Sequence, residues 1–455
     1  MFPMAAPAFM TDRPARTLRD VAAQFSADAE VRSADLERRV HAIAQAKRDA
    51  VADTRALTAH VNDVHDAAPD APPHPQANIV LAGPQDMRIA INDLAHDQIA
   101  ERTGIPKPYY RRMLADQPGL LAENINTWFQ RESGTRLFRM LTPIDGMHDT
   151  LIAHTRAAMV LRGVMGASYR AIDDAELVAT LLPIARAHGA LLKEFSLDDR
   201  RLHAQFVTAE QSVQDIRTRV AEQFGLDAAQ VGHHQQINGR DVSWVNEVIR
   251  AGFSLRNSEV GFAAMEVASF LDVLKCLNGL IVPAEATVRH VGKRLKADDG
   301  EARWISATTQ TLDNAALMSR AKDAALAALD DQQVVKLGNT LLAAKVTEVE
   351  LGQPTFEWVA NVSGRLGLNE AQTALLQEET VSAVVEERRE LAAGMPNAPA
   401  RITGAPTQFA LVQGLTAVAR QQPDFDRRVE LERTGWKWLT STAADLVKLG
   451  APGTK

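Results

Sequence analysis

The chain has 455 residues, 46% hydrophobic and 24% charged, enough for two or three domains and a sizeable core with the composition of a soluble globular protein. A net charge of −7 excludes a protein that coats nucleic acid with its whole surface, so any such contact must be local. The single cysteine, Cys276, excludes an internal disulfide and every multi-cysteine zinc site, and points to a cytoplasmic setting.

The first residues, to Pro14, read as irregular. Leu36, Val40, Ile43, Lys47, Ala50, Thr54, Leu57, Val61 and Val64 then follow a four-three spacing, with Glu37, Arg38, Arg39 and Asp49 between them. This spacing predicts a coiled-coil-like helix in which Lys47 and Thr54 are polar breaks that weaken the seam or set its register. Two readings are open: a homo-oligomer formed through residues 36–64, or an amphipathic helix lying on its own body. The stretch AAPDAPPHP from Ala67 to Pro75 cannot continue a helix and marks a boundary. The expected organisation is an N-terminal helix at 1–66, a proline-rich linker at 67–77, a mixed α/β core at 78–310 and a helical region at 311–455. The expected fold class is α+β.

From Ile91 to Met113 the pattern INDLAHDQIAERTGIPKPYYRRM predicts a helix, a turn at Thr103 to Pro106 and a second short helix. This is a helix-turn-helix pattern at 91–113, whose second helix would offer Lys107, Tyr109, Tyr110, Arg111 and Arg112 to a groove. Such pairs also serve packing alone. The three tyrosines all lie in Tyr-Arg steps: Tyr109, Tyr110 and Arg111, then Tyr169 and Arg170. Rings beside guanidinium groups either stack on bases or pack as amphipathic boundary residues.

Leu137 to Leu141 and Val160 to Tyr169 read as strands, and Asp173 with Asp174 caps an apolar helix through Leu182 that Pro183 interrupts or bends. Leu191 to Leu197 and Leu202 to Val207 alternate around the turn Asp198 to Arg201, a hairpin signal. A helix is expected from Val213 to Phe224, then a loop at His233 to Gln236. Phe253 to Asn257 and Val260 to Val267 read as two strands, and Phe270 to Leu277 fits a helical face slightly better than a strand. Leu280 to Val282 is a buried run ended by Pro283, and Arg289, His290, Lys293, Arg294 and Lys296 then gather positive charge. Beyond Ala307 helices are expected at about 313–329, 334–349, 369–391, 409–420 and 425–439, with Trp436 and Trp438 covering a core.

Several ordered motifs carry a resemblance: NSEVG at 257–261; Cys276, Leu277, Asn278 and Gly279; Arg289, His290, Val291 and Gly292; Tyr169 and Arg170 followed by Asp173 and Glu176; PDFDR at 423–427; and ELERTG at 430–435. Together, over about Leu81 to Leu439, they resemble the phage and plasmid family known as domain of unknown function 932. The resemblance implies a mobile-element gene in a bacterial or phage setting and carries over no catalytic residue.

No apolar run is long enough to span a bilayer and no leader pattern opens the chain, so no membrane is expected among its partners. His-Glu-x-x-His and paired cysteines are missing, adjacent His233 and His234 would point apart, and no metal or other cofactor is expected. Gly292 and Lys293 are preceded by Thr287 where a P-loop needs glycine. Gly-x-Ser-x-Gly is also missing, and Cys276 in an apolar run reads as a small core residue. The two basic sets therefore lead to the first hypothesis: a non-enzymatic protein of DNA metabolism that binds nucleic acid, single-stranded DNA included, through Lys107, Tyr109, Tyr110, Arg111, Arg112, Tyr169, Arg170, Arg289, His290, Lys293, Arg294 and Lys296. The second is an interaction factor that counters host defence or restriction. The third is a metal-dependent nuclease using Asp173, Asp174 and Glu176.

Overall fold

Helix α1, Leu18–Ala46, keeps the four-three spacing only as far as Ile43. Its Ala29, Ser33, Leu36, Val40, Ile43 and Ala46 are buried, and the apolar members from Leu36 onward join a core with Leu177, Leu181, Leu192 and Phe253 of the same chain. The computed structural model describes residues 18–62, 74–83, 87–132, 134–167, 169, 171–208, 234–237, 240–243, 249–273, 278–282, 307–394 and 405–451. Over these residues the class is α+β. The coiled-coil expectation needs correction in two respects. The seam is spent on the chain's own core, and the chain leaves the helix at the first polar seam position. Strand β1, Lys47–Asp53, runs antiparallel to β5, Thr135–Leu141. Thr54 is no seam residue either, since its hydroxyl donates to the Phe129 carbonyl at 3.0 Å.

The proline-rich stretch is not a domain boundary. Strand β2, Thr58–Val61, pairs antiparallel with β3, Ile79–Ala82, so the segments before and after the prolines share one sheet. That sheet is completed by β4, Arg88–Ile91, and β6, Met159–Gly166, in the order β1-β5-β6-β4-β3-β2, with β4 and β6 its parallel pair. Helices α2, Asp93–Arg102, α3, Lys107–Asp116, and α4, Pro118–Arg131, cover one face. Ile79, Leu81, Ile89 and Ile91 there meet Ile99, Leu114, Leu121 and Phe129. Helix α5, Asp149–Thr155, packs Leu151 on Ala90 and Val160 of the other face.

The second sheet is antiparallel: β7, Ala190–Leu197, β8, Leu202–Thr208, β11, Ile249–Asn257, β12, Glu266–Val273, and β13, Asn278–Ile281, in the order β13-β12-β11-β8-β7. The predicted hairpin at 191–207 is present. The expected strand at Val260 starts six residues later, because 258–265 is a turn. The expected helical face at Phe270 is strand as far as Val273, and Leu274 to Leu277 lie outside the described residues. A run buried on both sides has no alternation for a strand to announce itself by. The His234–Ile237 segment, expected as loop, is strand β9 paired with β10, Arg240–Ser243. The expected helix at 213–224 lies outside the described residues.

Alternation fixes what covers this sheet. Leu202, Ala204 and Phe206 face a core completed by α1, by α6 (Asp174–Ala187) and by α7 (Ala307–Ala328). His203, Gln205 and Val207 point to the opposite side. There α12, Phe425–Thr440, is laid, backed by α8 (Asp331–Val346), α9 (Thr355–Leu366), α10 (Glu370–Gly394), α11 (Gln408–Arg420) and α13 (Ala443–Leu449). Trp436 and Trp438 are buried in this layer, as the sequence predicts, and Trp358 joins them, its indole N–H donating to the Leu446 carbonyl at 2.8 Å.

Candidate functional site

The helix pair α2–α3 forms where the sequence places it. Asn92 caps α2, its side-chain oxygen accepting from the Ala95 N–H at 2.8 Å. Gly104 supplies the positive φ of +67° that the turn requires. Tyr110 is fully buried and its hydroxyl lies 2.8 Å from His96 Nδ1. Burial pushes the His96 imidazole down to about 3 and holds the Tyr110 phenol above its ordinary range. The ring is therefore neutral; its Nε2 faces the Gln76 carbonyl at 3.4 Å and carries the proton, so Nδ1 accepts a hydrogen bond from the Tyr110 hydroxyl. Arg111 is clamped, with 2.5 Å contacts to Asp93 and to Asp97. Lys107 lies 3.9 Å from Asp97 and is half exposed; Arg112 lies 3.8 Å from Asp116 with 80% of its side chain exposed. Tyr109 keeps 53% exposure. The predicted set thus divides: Tyr110 and Arg111 hold the helix pair together, while Lys107, Tyr109 and Arg112 face water.

A second constellation gathers the NSEVG turn with Tyr169, Asp173 and Asp174, residues that the sequence separates by more than eighty positions. Arg139 of β5 and Arg162 of β6 are both buried between the two sheets. Their strands slip register between Arg139 and Met140, so that Arg162 has no partner residue in the pairing; a bulge of this kind re-aims a side chain. Glu259 receives Arg162 Nη1 at 2.5 Å and sits 3.6 Å from Arg139, and its other oxygen accepts the Asp174 N–H at 2.9 Å. Arg139 also forks onto Asp49 at 2.9 and 2.7 Å and reaches Asp173 at 3.3 Å. Asn257 donates to the Ile172 carbonyl and to Asp174 Oδ1, both at 2.8 Å. Burial, followed by the charge of Glu259, holds the Asp174 carboxyl well above its ordinary range.

The turn is tied to the helix pair as well. Ser258 Oγ accepts from the N–H groups of Val260 and Phe262 at 3.3 and 3.0 Å, and donates to the Arg200 carbonyl at 2.6 Å. Gln98 of α2 donates to the Val260 carbonyl at 2.8 Å and accepts the Val164 N–H at 2.6 Å. Gly163 permits this approach, since a Cβ there would meet Val260 at 3.0 Å and Gln98 at 3.2 Å. Tyr169 donates to the Ser258 carbonyl at 2.9 Å, and burial pushes its phenol up to about 12. It is a packing residue of this turn.

A third cluster lies between the polar side of the five-stranded sheet and α12. Arg428 forks onto Glu194 at 2.8 and 2.5 Å and meets Glu432 at 3.0 Å. Buried Glu432, raised to about 7 by that burial, accepts from Gln205 at 3.1 Å. Asp426 receives His203 Nε2 at 3.1 Å, Arg256 at 3.4 Å and Arg201, while Arg433 reaches Glu266 at 2.6 Å. The C-terminal motifs at 423–427 and 430–435 are thus the α12 side of this cluster.

Arg170, Arg289, His290, Lys293, Arg294 and Lys296, with Cys276, lie outside the described residues. Asp173 and Asp174 do not share a metal position: Asp173 faces Lys47 and Arg139, Asp174 faces Asn257, and Glu176 is exposed. Among the described residues no group of three or more His, Cys, Asp or Glu side chains is placed to hold a metal ion, and no helix is long and apolar enough to cross a membrane. Sequence reasoning missed Arg139, Arg162 and Asp49. Two arginines inside strand patterns were the available signal, because such a position demands a buried partner. No family model, curated protein or solved structure matches the chain.

Proposed function

We propose that this chain is a non-catalytic mobile-element protein of DNA metabolism that binds nucleic acid, single-stranded DNA included, through local cationic surface. The observation that carries the reading is the outer face of α3. Tyr110, Met113 and Leu114 dock that helix, and what remains outside is a half-exposed tyrosine ring between Lys107 and Arg112. Lys107 and Arg112 are exposed and their contacts, 3.9 Å to the part-buried Asp97 and 3.8 Å to Asp116, are worth about 0–1 kcal/mol, so either cation can turn to a phosphate. A base stacked on Tyr109 adds about 1–3 kcal/mol. Arg111, held by two carboxylates, takes no part. The buried arginines are committed to the fold, which favours a binding role over chemistry. The sequence offers a second basic set, Arg289, His290, Lys293, Arg294 and Lys296, outside the described residues, and the resemblance supplies the mobile-element setting.

A fluorescence anisotropy titration of the full chain with labelled single- and double-stranded oligonucleotides across salt concentrations tests this. Affinity should fall linearly on a log–log plot. A flat response, or no binding at low salt, overturns the proposal. The rival reading, an interaction factor that counters host defence or restriction, has its own observation: Val381 and Val385, one turn apart on α10, are 44% and 47% exposed. Charge reversal at Lys107 and Arg112 separates the two, because it weakens DNA binding and leaves an apolar helix contact intact.

A further inference from the structure

The turn between β7 and β8, Asp198 to Arg201, docks on the N-terminal end of α2 and carries a cation that the fold positions and does not neutralise. The Arg200 N–H donates to Asp198 Oδ1 at 2.7 Å and its carbonyl accepts from Ser258 Oγ at 2.6 Å, so its backbone is fixed from both sides. The side chain leaves this anchor 47% exposed, with the guanidinium 5.7 Å above the Phe262 ring. Phe262 is held in turn, partly buried against Leu94 and Val260, its N–H donating to Ser258 Oγ. The neighbouring carboxylates are engaged elsewhere. Asp198 Oδ1 accepts the N–H groups of Arg200 and Arg201, Asp199 takes His148 at 3.1 Å and Asn92 at 3.2 Å, and Asp93 takes Arg111 at 2.5 Å. What is left to Arg200 among the described residues is a 4.0 Å approach to Asp93, a contact between exposed groups that solvent screens to little.

This arginine adjoins the α3 face. Lys107 reaches Asp97, Arg111 reaches Asp97 and Asp93, and Arg200 reaches Asp93. The three cations therefore form one row, along α2 and off its N-terminal end onto the second sheet. Tyr109, 53% exposed, belongs to the α3 end of the row and Phe262 to the other. Cations together with ring planes suit a flexible single strand, which puts phosphates on the charges and bases on the planes. A guanidinium stacked on a ring offers its outer plane to a base, and a duplex has no unstacked base to lay there. We infer that Arg200, backed by Phe262, is a second contact for single-stranded nucleic acid, so that one strand runs from Lys107 and Arg112 onto the β7–β8 turn and spans both sheets. The inference rests on the α3 reading and adds to it the preferred substrate, a single strand, and the course it takes.

The test is fluorescence anisotropy of the full chain with a labelled single strand of about 12 nucleotides and with the matching duplex, across salt concentrations. Arg200→Glu should weaken single-strand binding by about fivefold or more and lower the log–log salt slope by about 0.7. Arg200→Lys keeps the charge and loses the plane, so its slope should match the wild type while its single-strand affinity still falls by about fivefold; its duplex affinity should not change. Wild-type affinity and slope in Arg200→Glu overturn the contact, and a lysine variant that equals the wild type on the single strand overturns the stacking. If Arg200→Glu does not fold, Arg200→Gln takes its place with the same expected loss of slope. The two readings fail separately. No binding by the wild type ends the α3 reading and this one with it, whereas binding that is weakened by Lys107→Glu with Arg112→Glu and untouched by Arg200→Glu leaves the α3 reading standing and ends this one.

Discussion

Among the described residues Glu259 is the carboxylate that buried Arg162 contacts, whereas Arg139 also holds Asp49 and Asp173. Glu259→Gln keeps the volume and removes the charge, leaving Arg162 under-compensated; breaking a buried pair in this way costs about 3–5 kcal/mol. Urea unfolding at neutral pH should show that loss, and a loss below about 1 kcal/mol would mean that Arg162 is satisfied by the carbonyls of Asp198 and Asp199, at 3.5 and 3.2 Å. His96 gives a second prediction, on pH. Its folded pKa is about 3 against an ordinary 6.5, so the unfolded chain takes up its proton first. The stability it contributes is full above 6.5 and is lost as pH falls from 6.5 toward 3, roughly 2 kcal/mol by pH 5. Glu432 acts in the opposite sense: raised to about 7 from 4.5, its contribution is full below 4.5 and is lost as pH rises through 7. The wild-type curve mixes the two, so the comparison to make is with His96→Gln, whose stability should decline less between pH 7 and pH 5. An unchanged slope would mean that His96 is protonated in the fold.

Among the elements, α1 shows what a sequence period can and cannot say. The repeat from Leu36 to Ile43 is real and buried, but a heptad pattern does not name the surface it packs on. Its continuation through Lys47 and Thr54 was coincidence: two polar residues among the next three seam positions marked where the exposed edge of β5 took the chain as a strand, tertiary pairing overriding propensity. Leu36→Ala should therefore cost about 2–5 kcal/mol as a core deletion. The wild-type unfolding midpoint should stay constant over about a tenfold range of protein concentration, whereas a midpoint that rises with concentration would restore the oligomer seam. The α2–α3 pair, the 190–208 hairpin and the C-terminal helices were legible because caps, turn residues and clear periods agreed there. The short strands β3 and β4, one on each side of the Ala82 to Met87 connection, were not, since four residues carry too little period to read. The convergence of NSEVG with Tyr169 and Asp174 was legible only as separate motifs, because contact between distant segments leaves no local pattern.

At the scale of the molecule, a chain of net charge −7 keeps much of its cationic chemistry facing inward: Arg139, Arg162 and Arg428 are largely shielded and paired. On the proposed function, such a net charge gives little long-range attraction to a polyanion, and affinity would come from exposed cations that can exchange partners. The salt slope counts them. Each neutralised phosphate contributes about 0.7 on single strands and 0.9 on duplex to the log–log slope. If Lys107 and Arg112 were the whole surface, the slope would be about 1.4 on a single strand, and the four lysines and arginines at 289–296 would raise it to about 4. Reversing Lys107 and Arg112 together should lower the measured slope by about 1.4 or more while leaving the thermal midpoint nearly unchanged, because exposed contacts of this kind add little to stability. Reversing Arg289, Lys293 and Arg294 should lower it by about 2. A slope that responds to the second set and not to the first would remove α3 from the interface and leave the helix pair as packing alone.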